Sequence, residues 1–134
     1  MSRRIELTER LCTKGIIAVV RAADSEQLED VARALLTGGV DCIEITMTTP
    51  NALEVIAACR RSLPDEALIG VGSVTDAPTA RQAVAAGAQF LLSPIFKREI
   101  VDVAHQADLP AVPGCFTPTE IRCATDAGAD MVKV

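Results

Sequence analysis

The fold is decided by the stretch Leu35-Leu-Thr-Gly-Gly-Val-Asp-Cys-Ile-Glu-Ile-Thr46. Apolar residues at i, i+3, i+4 and i+7 from Leu28 predict a helix over Ser25–Leu36, which the Gly38-Gly39 pair then ends. The apolar run that follows at once is too short for a helix and is typical of a strand buried on both faces. Helix, glycine stop and buried strand in this order indicate βαβ units with parallel strands.

The same unit recurs along the chain. Gly39-Val40-Asp41, Gly87-Ala88-Gln89 and Gly128-Ala129-Asp130 each lead from a helical segment into an apolar run. The predicted strands are Gly15–Ala22, Asp41–Thr48, Ala67–Val74, Gln89–Ile95, Pro110–Phe116 and Asp130–Val134. The other predicted helices follow a Thr49-Pro50 cap, span Ala77–Ala86 and Lys97–Ala107, and run from the Thr117–Glu120 capping box to Gly128.

Two architectures fit this alternation, a doubly wound open sheet and a (β/α)₈ barrel. The charged residues Arg21, Glu44 and Lys133 inside apolar strands favour the barrel, because its strands end at an active-site mouth. An open sheet usually carries a glycine-rich phosphate turn after its first strand, and the residues after Arg21 form no such turn. We predict one α/β domain over residues 1–134, a (β/α)8 TIM barrel of which this chain supplies about the first six strands and five helices. Because a complete barrel runs to ~250 residues, we expect the domain to be C-terminally truncated.

Composition excludes several classes of partner. The net charge is −5 and aromatic residues make up 2% of the 134 residues, so the chain has neither a basic stripe nor a base-stacking platform for nucleic acid. No apolar run approaches the roughly 20 residues that span a bilayer, and the first residues lack the apolar stretch of a signal peptide. We expect a cytoplasmic protein with no nucleic-acid or membrane partner.

Cysteine and histidine offer no metal site. The five cysteines, at positions 12, 42, 59, 115 and 123, show the spacing of neither a zinc site nor a disulfide framework, so we expect small buried thiols. The single His105 lies in a helical segment and is expected to face solvent. No Ser-His-Asp or Cys-His arrangement and no cluster of metal ligands remains, and we predict no metal.

Glu44 and Lys133 are the candidates for catalysis. Glu44 lies on the strand face opposite Ile43 and Ile45, which turns it toward the barrel interior, where desolvation raises a carboxyl pKa as acid–base catalysis requires. The alternative is an ion pair with a neighbouring cation. Lys133 shares a strand face with Met131, and an amine in a partly desolvated pocket can attack carbonyls; the alternative is a solvated surface lysine. Together, an interior glutamate and an interior lysine suit Schiff-base chemistry.

Other strand ends supply candidate binding residues. Arg21 ends the first strand, and its guanidinium suits a carboxylate or a phosphate, the alternative being a surface ion pair with Asp24 or Glu26. The glycines in Gly70-Val71-Gly72-Ser73 could let a substrate approach the backbone or could serve interior packing. Ser93-Pro94 would shape a pocket floor or simply end its strand.

Six stretches of the chain together resemble one enzyme family, the KDPG/KHG aldolases (2-dehydro-3-deoxy-6-phosphogluconate and 4-hydroxy-2-oxoglutarate aldolases). They are Ala18–Ala22, Gly38–Thr46, Ile69–Val74, Ala86–Pro94, Val112–Gly114 with Thr117–Glu120, and Gly128–Lys133, in matching order and spacing. The resemblance implies a class I aldolase in which Lys133 forms a Schiff base with pyruvate and Glu44 moves protons.

The resemblance also implies the remaining site residues and the substrates. Ser73 would lie near the pyruvate carboxylate and Pro94 would line the pocket. Thr49 stands in the segment where several members carry a carboxylate-binding arginine, and Arg21 would take over part of that anion binding. The family's phosphate site lies in strands seven and eight, which this sequence does not contain.

The implied reaction cleaves 2-keto-3-deoxy-6-phosphogluconate to pyruvate and glyceraldehyde 3-phosphate, or 4-hydroxy-2-oxoglutarate to pyruvate and glyoxylate. The family works without metal or other cofactor, so the imine on Lys133 would be the only covalent aid, and its members are usually cytoplasmic homotrimers. The alternatives are the 2-dehydro-3-deoxy-6-phosphogalactonate aldolase of the same family and an inactive partial barrel or interaction module.

Overall fold

In the computed structural model, which describes all of residues 1–134, helices and parallel strands alternate along the chain. The elements are α1 (Arg3–Lys14), β1 (Ala18–Val20), α2 (Leu28–Thr37), β2 (Cys42–Thr46), α3 (Ala52–Ser62), β3 (Leu68–Gly72), α4 (Ala77–Ala85), β4 (Leu91–Ser93), α5 (Arg98–Gln106), β5 (Ala111–Pro113) and α6 (Pro118–Asp126). The strands form one sheet in the order β1-β2-β3-β4-β5. A doubly wound sheet reverses its strand order at a switch point, and this sheet does not. The winding is that of a (β/α)₈ barrel.

The predicted sixth strand, Asp130–Val134, is only a single bridge. Lys133 pairs with Gly114: the Lys133 N–H donates to the Pro113 carbonyl at 3.0 Å, and the Cys115 N–H donates to the Lys133 carbonyl at 2.8 Å.

Helix α1 comes in addition to the five predicted helices. The Ser2 hydroxyl accepts from the Ile5 N–H at 3.4 Å, and Gly15 ends the helix with φ 71°. Leu7 and Leu11, one helical turn apart, are buried. A serine cap, an i, i+4 leucine pair and a glycine stop were the signals that could have revealed it.

Helix α1 lies against the segments that precede the strands. Its polar groups contact four of these segments: Lys14 pairs with Asp41, the Arg10 guanidinium donates to the Asp65 and Glu66 carbonyls, Ser2 and the Arg3 N–H donate to Asp108, and Arg4 pairs with Asp130. These contacts span the sheet from β2 to the Lys133 bridge. The helix therefore covers the N-terminal end of the sheet.

The repeated glycine exits place a side-chain acceptor at the start of two strands. Gln89 Oε1 accepts from the Ile69 N–H at 3.0 Å, and Asp130 Oδ2 accepts from the Ala111 N–H at 2.9 Å. Asp130 Oδ2 also lies 3.1 Å from Nε2 of His105, which is half-buried, so the prediction that His105 faces solvent was wrong. In both cases a backbone N–H near the start of one strand, which has no partner in the ladder, donates to a side chain that lies before the following strand segment.

Two helix starts differ from prediction. Helix α2 begins at Leu28 rather than Ser25, after a turn in which the Leu28 N–H donates to the Ser25 carbonyl. Helix α3 begins at Ala52 after Asn51, which has φ 54° and no capping bond. The predicted cap residue Thr49 instead bonds to the Ala22 N–H, so it joins two loops. The capping box of Thr117 and Glu120 at α6 is confirmed.

The sheet separates an apolar face from a polar one. Ile43, Ile45, Ile69 and Val71 are fully buried in a cluster of 31 residues, while Glu44 lies on the opposite face.

Three cysteines are buried, and burial raises the pKa of the Cys42 and Cys59 thiols to about 11, so they stay protonated. Cys12 and Cys123 are exposed, contrary to the prediction of buried thiols. No helix combines the length and hydropathy that a bilayer span requires.

Candidate active site

The strand register places the candidate catalytic residues on one face of the sheet. Glu44 pairs with Val19 on one side and with Gly70 on the other, and residues paired in a parallel ladder point the same way. Lys133 pairs with Gly114 beyond the last residue of β5. Because parallel strands end at a common edge, Lys133, Arg21 and the end of β2 lie toward the same C-terminal end of the sheet. We call the polar face of the sheet that carries Glu44 the inner face.

Glu44 is the one buried charged group of the inner face. Its side chain is 2% exposed, and its Oε2 is the only buried side-chain nitrogen or oxygen in the chain without a hydrogen-bond partner. Burial raises the pKa of the Glu44 carboxyl, and the positive charges of Lys133 and Arg21 oppose that rise with smaller effects. Glu44 forms no salt bridge, so the structure does not support the alternative of a simple ion pair.

The backbone of Lys133 is fixed by hydrogen bonds, whereas its side-chain amine has no partner. Both backbone hydrogen bonds of the bridge fix its position beside β5, and its side chain makes no salt bridge or hydrogen bond. The side chain is exposed in this chain, where we expected partial desolvation. Of the strands in this chain, only β5 flanks Lys133.

A cavity of about 270 Å³ adjoins Lys133. Its lining comprises Pro94, Ile95, Gly114, Cys115, Phe116, Glu120, Lys133 and Val134. The predicted pocket residue Pro94 therefore shares a wall with Lys133. A Cβ at Gly114 would overlap the Pro94 carbonyl, so the missing side chain lets these two strand ends meet closely.

The other predicted binding residues differ in how free they are. Arg21 is exposed and forms no ion pair with Asp24 or Glu26, which leaves its guanidinium available near Glu44. Ser73 is half-buried, its hydroxyl has no partner, and its backbone has φ 59°, a strained conformation for a residue with a Cβ. Thr49 is buried and its hydroxyl contacts the Ala22 N–H and Thr46 Oγ1, each at 3.3 Å, so the protein itself occupies this hydroxyl.

Sequence reasoning missed Glu120 and Phe116 as cavity residues. One oxygen of Glu120 accepts from the Phe116 N–H, the Thr117 N–H and the Thr117 hydroxyl, at 2.9, 2.8 and 2.9 Å, and these bonds lower the pKa of its carboxyl. The capping-box motif revealed the bonds to Thr117, but no sequence signal showed that the cap borders a cavity with Lys133. Nowhere do three His, Cys, Asp or Glu side chains come together as metal ligands.

Comparison with known proteins identifies the family. The model of the family "KDPG and KHG aldolase" matches residues 7–134. The chain belongs to the KDPG and KHG aldolase family. The family prediction is therefore confirmed, on a match that runs through every strand and the Lys133 bridge.

Relatives and solved structures agree with this aldolase family. The chain is 40% identical over 129 residues to 2-dehydro-3-deoxy-phosphogluconate aldolase of Treponema pallidum and 33% identical over 121 residues to the protein of that name in Dickeya dadantii. These matches cover 96% and 90% of this chain but 61% and 56% of the relatives. The chain thus spans about 60% of the length of the Treponema relative and less of the other.

A solved structure matches the fold. The KDPG aldolase of Legionella pneumophila, with pyruvate captured at low pH as a covalent carbinolamine intermediate, superposes with TM-score 0.82 at 29% identity. The superposition covers 91% of this chain and 59% of that structure. The predicted α/β barrel class is confirmed, with this chain supplying part of the barrel.

Proposed function

We propose that this protein is a single-domain class I aldolase that cleaves a 2-keto-3-deoxy sugar acid through an imine on Lys133. The observation that carries the proposal is the pairing of a buried, unpartnered carboxyl at Glu44 with a free amine at Lys133 on one face of the sheet. The carbinolamine with pyruvate in the Legionella relative supports covalent chemistry of this kind.

In the proposed reaction, the Lys133 amine attacks the C2 keto carbon to form a carbinolamine, which loses water to give the imine. The imine then withdraws the electron pair of the C3–C4 bond as a base removes the C4 hydroxyl proton, and an aldehyde leaves. The resulting enamine takes a proton at C3, and water hydrolyses the imine to release pyruvate. No cofactor or metal enters this sequence.

Glu44 would carry these protons. Because burial raises the pKa of its carboxyl, the group exchanges a proton nearer to neutral pH than an exposed glutamate does. It would donate to the carbinolamine hydroxyl as water leaves and accept the proton of the C4 hydroxyl, directly or through a water molecule. The missing partner of Oε2 leaves one lone-pair site free for such a bond.

The remaining predicted residues would bind the substrate. Arg21 offers a free guanidinium for a carboxylate or phosphate, Ser73 a free hydroxyl, and Pro94 a rigid wall beside Lys133. Thr49 stays a prediction as a binding residue, and its present bonds favour a role in joining the loops after β1 and β2. A homotrimer and a cytoplasmic location complete the proposal.

Trapping with pyruvate and sodium borohydride tests the covalent step. The chain has three lysines, Lys14, Lys97 and Lys133, and we expect peptide mapping to find the reduced adduct on Lys133 alone. Lys133→Ala should abolish the adduct, whereas the matched control Lys97→Ala should keep it. A folded chain without an adduct, or an adduct on another lysine, would overturn the proposal and favour the inactive partial barrel.

Substrate choice is tested separately from imine formation. We expect cleavage of 2-keto-3-deoxy-6-phosphogluconate or 4-hydroxy-2-oxoglutarate, measured by coupling pyruvate release to NADH oxidation. Preferential cleavage of the galactonate epimer would instead assign the chain to the phosphogalactonate branch of the family. Pyruvate trapping without cleavage of any of the three would contradict the aldolase reaction while leaving the imine intact.

A further inference from the structure

On the inner face of β3 lie two glycines, Gly70 and Gly72, whose lack of a side chain matters for packing and not for backbone conformation. Gly70 and Gly72 have ordinary strand geometry and are absent from the residues with positive φ. Glycine inside a strand weakens it, because it loses more conformational freedom on folding and packs no side chain. Some neighbouring group must therefore need the room that a Cβ would take.

Each glycine is covered by a different side chain. A Cβ at Gly70 would overlap the ring of Phe90, and a Cβ at Gly72 would overlap Oε1 and Cδ of Glu44 and lie 2.8 Å from its Cγ. Protein side chains fill both spaces, so substrate does not approach the backbone at either glycine. Of the two interpretations of the Gly70-Val71-Gly72 motif, interior packing is the one that the structure supports.

The Phe90 ring and the space at Gly72 together determine which way the Glu44 side chain points along the sheet. In the ladder Glu44 pairs with Gly70, yet its carboxyl lies over Gly72, two residues further toward the C-terminal end of β3. The Phe90 ring occupies the position beside Glu44, and Gly72 leaves the next position on the face empty. Two residues of strand correspond to a rise of about 6–7 Å, so the carboxyl leans along β3 toward its C-terminal end and away from the ladder partner of Glu44.

We propose that Gly72 is a positioning residue for the proposed aldolase reaction: with Phe90 it directs the Glu44 carboxyl along β3 toward the end of the sheet that carries Lys133. The inference rests on the proposed function for its catalytic meaning and on the packing of Glu44 for its geometry. Gly72 itself does not touch the reacting atoms.

Gly72→Ala tests this directly, with Gly38→Ala as the matched control because a Cβ at Gly38 meets nothing closer than 3.4 Å. We expect Gly72→Ala to slow borohydride trapping of pyruvate about 100-fold, the scale of a misplaced catalytic group, and Gly38→Ala to trap at the original rate. Gly72→Ala is also introduced beside Glu44→Asp, where it should slow trapping far less than it does beside Glu44, because the shorter side chain leaves room for the new methyl group.

The titration of Glu44 provides a readout that a purely structural role would not change. In ¹³C NMR of glutamate-labelled protein, with the Glu44 signal assigned by Glu44→Gln, we expect Gly72→Ala to move the Glu44 midpoint toward that of an exposed glutamate. An unchanged midpoint together with an unchanged trapping rate would overturn the inference. So would a slowing of trapping by Gly72→Ala that is as large beside Glu44→Asp as it is beside the original glutamate.

The outcomes also separate the two proposals. If the unmodified chain forms no adduct, the proposed function fails, and the Glu44 titration still decides whether Gly72 sets the carboxyl position. If Gly72→Ala does not fold, circular dichroism of the double variant decides: recovered folding supports the overlap at Gly72, and an unfolded double variant contradicts it.

Discussion

The polar groups at the two ends of the sheet differ in whether they have hydrogen-bond or ionic partners. At the N-terminal end, Asp41, Gln89, Asp108 and Asp130 all have hydrogen-bond or ionic partners, several of them from α1. Toward the C-terminal end, Glu44 Oε2 has no partner, the side chains of Arg21 and Lys133 form no ion pair, and Ser73 has a strained backbone.

This difference separates stability from chemistry. Satisfied polar groups stabilise the fold, whereas an unpaired buried carboxyl costs free energy and is retained where something else requires it. In barrel enzymes the C-terminal ends of the strands carry the active site, and the opposite end serves stability. Substitutions at the two ends should therefore have different effects: at the C-terminal end on the reaction, and at the N-terminal end on the free energy of unfolding.

The largest effect is expected for Glu44→Gln. The amide cannot exchange protons as the carboxyl does, so borohydride trapping of pyruvate should slow by about 100-fold or more, while the free energy of unfolding is kept or raised. The matched control is Glu54→Gln on α3, an exposed residue, which should leave both quantities unchanged. Equal trapping by Glu44→Gln and the unmodified chain would remove Glu44 from the mechanism.

Asp130→Ala tests the opposite end of the sheet. It removes the acceptor for the Ala111 N–H and the partner of His105, so we expect the free energy of unfolding in urea to fall by about 2 kcal/mol. Asp130→Asn keeps an acceptor oxygen and should lose less. A loss below a few tenths of a kcal/mol would show that this end does not depend on its satisfied polar groups.

The pH dependence of stability tests the burial of Glu44. Because its pKa is raised above 4.5 in the folded chain, the folded state holds this proton at pH values where the unfolded state has lost it. The free energy of unfolding should therefore decrease as pH rises from about 4.5 to the folded pKa, by at most ~1.4 kcal/mol per pH unit. In Glu44→Gln this contribution is absent, so the free energy of unfolding measured in urea should fall less over this pH range than in the unmodified chain. The same pH dependence in both proteins would contradict a raised pKa of Glu44.

The smallest effect is expected for Ser73→Gly. Glycine adopts φ 59° without strain, so the variant should gain about 1 kcal/mol in the free energy of unfolding, although it loses the hydroxyl proposed to bind substrate. Ser73→Ala serves as control, since it removes the hydroxyl but keeps the Cβ and should show no gain. A Ser73→Gly variant no more stable than Ser73→Ala would mean that the strain is relieved elsewhere.

Periodicity predicted most of the fold because it reflects burial directly. The apolar face of Ile43 and Ile45, the glycine stops and the capping box of Thr117 all depend on local pattern, and the structure contains them. Helix α1 was missed because its two buried leucines give a weak pattern among many charged residues. The sixth strand was overestimated because apolar character alone does not show whether a ladder has a second pair.

The candidate site was predicted in part for the same reason. Charged residues inside apolar strands stand out in a sequence, and the structure brings Glu44, Arg21 and Lys133 to one end of the sheet. The cavity wall formed by Phe116 and Glu120 was not predicted, because α6 and the segment at Lys133 meet only in three dimensions. The partners of His105 and Thr49 were missed for the same reason.

The sequence by itself determined the alternation of strands and helices, the family and the identities of the candidate catalytic residues, since each depends on local pattern and residue type. The tertiary structure alone decided that Phe90 covers Gly70, that Glu44 lies over Gly72, that Lys133 is exposed and that α1 covers the N-terminal end. These features depend on contacts between residues far apart in the chain, where steric exclusion and desolvation act on distances that sequence spacing does not encode.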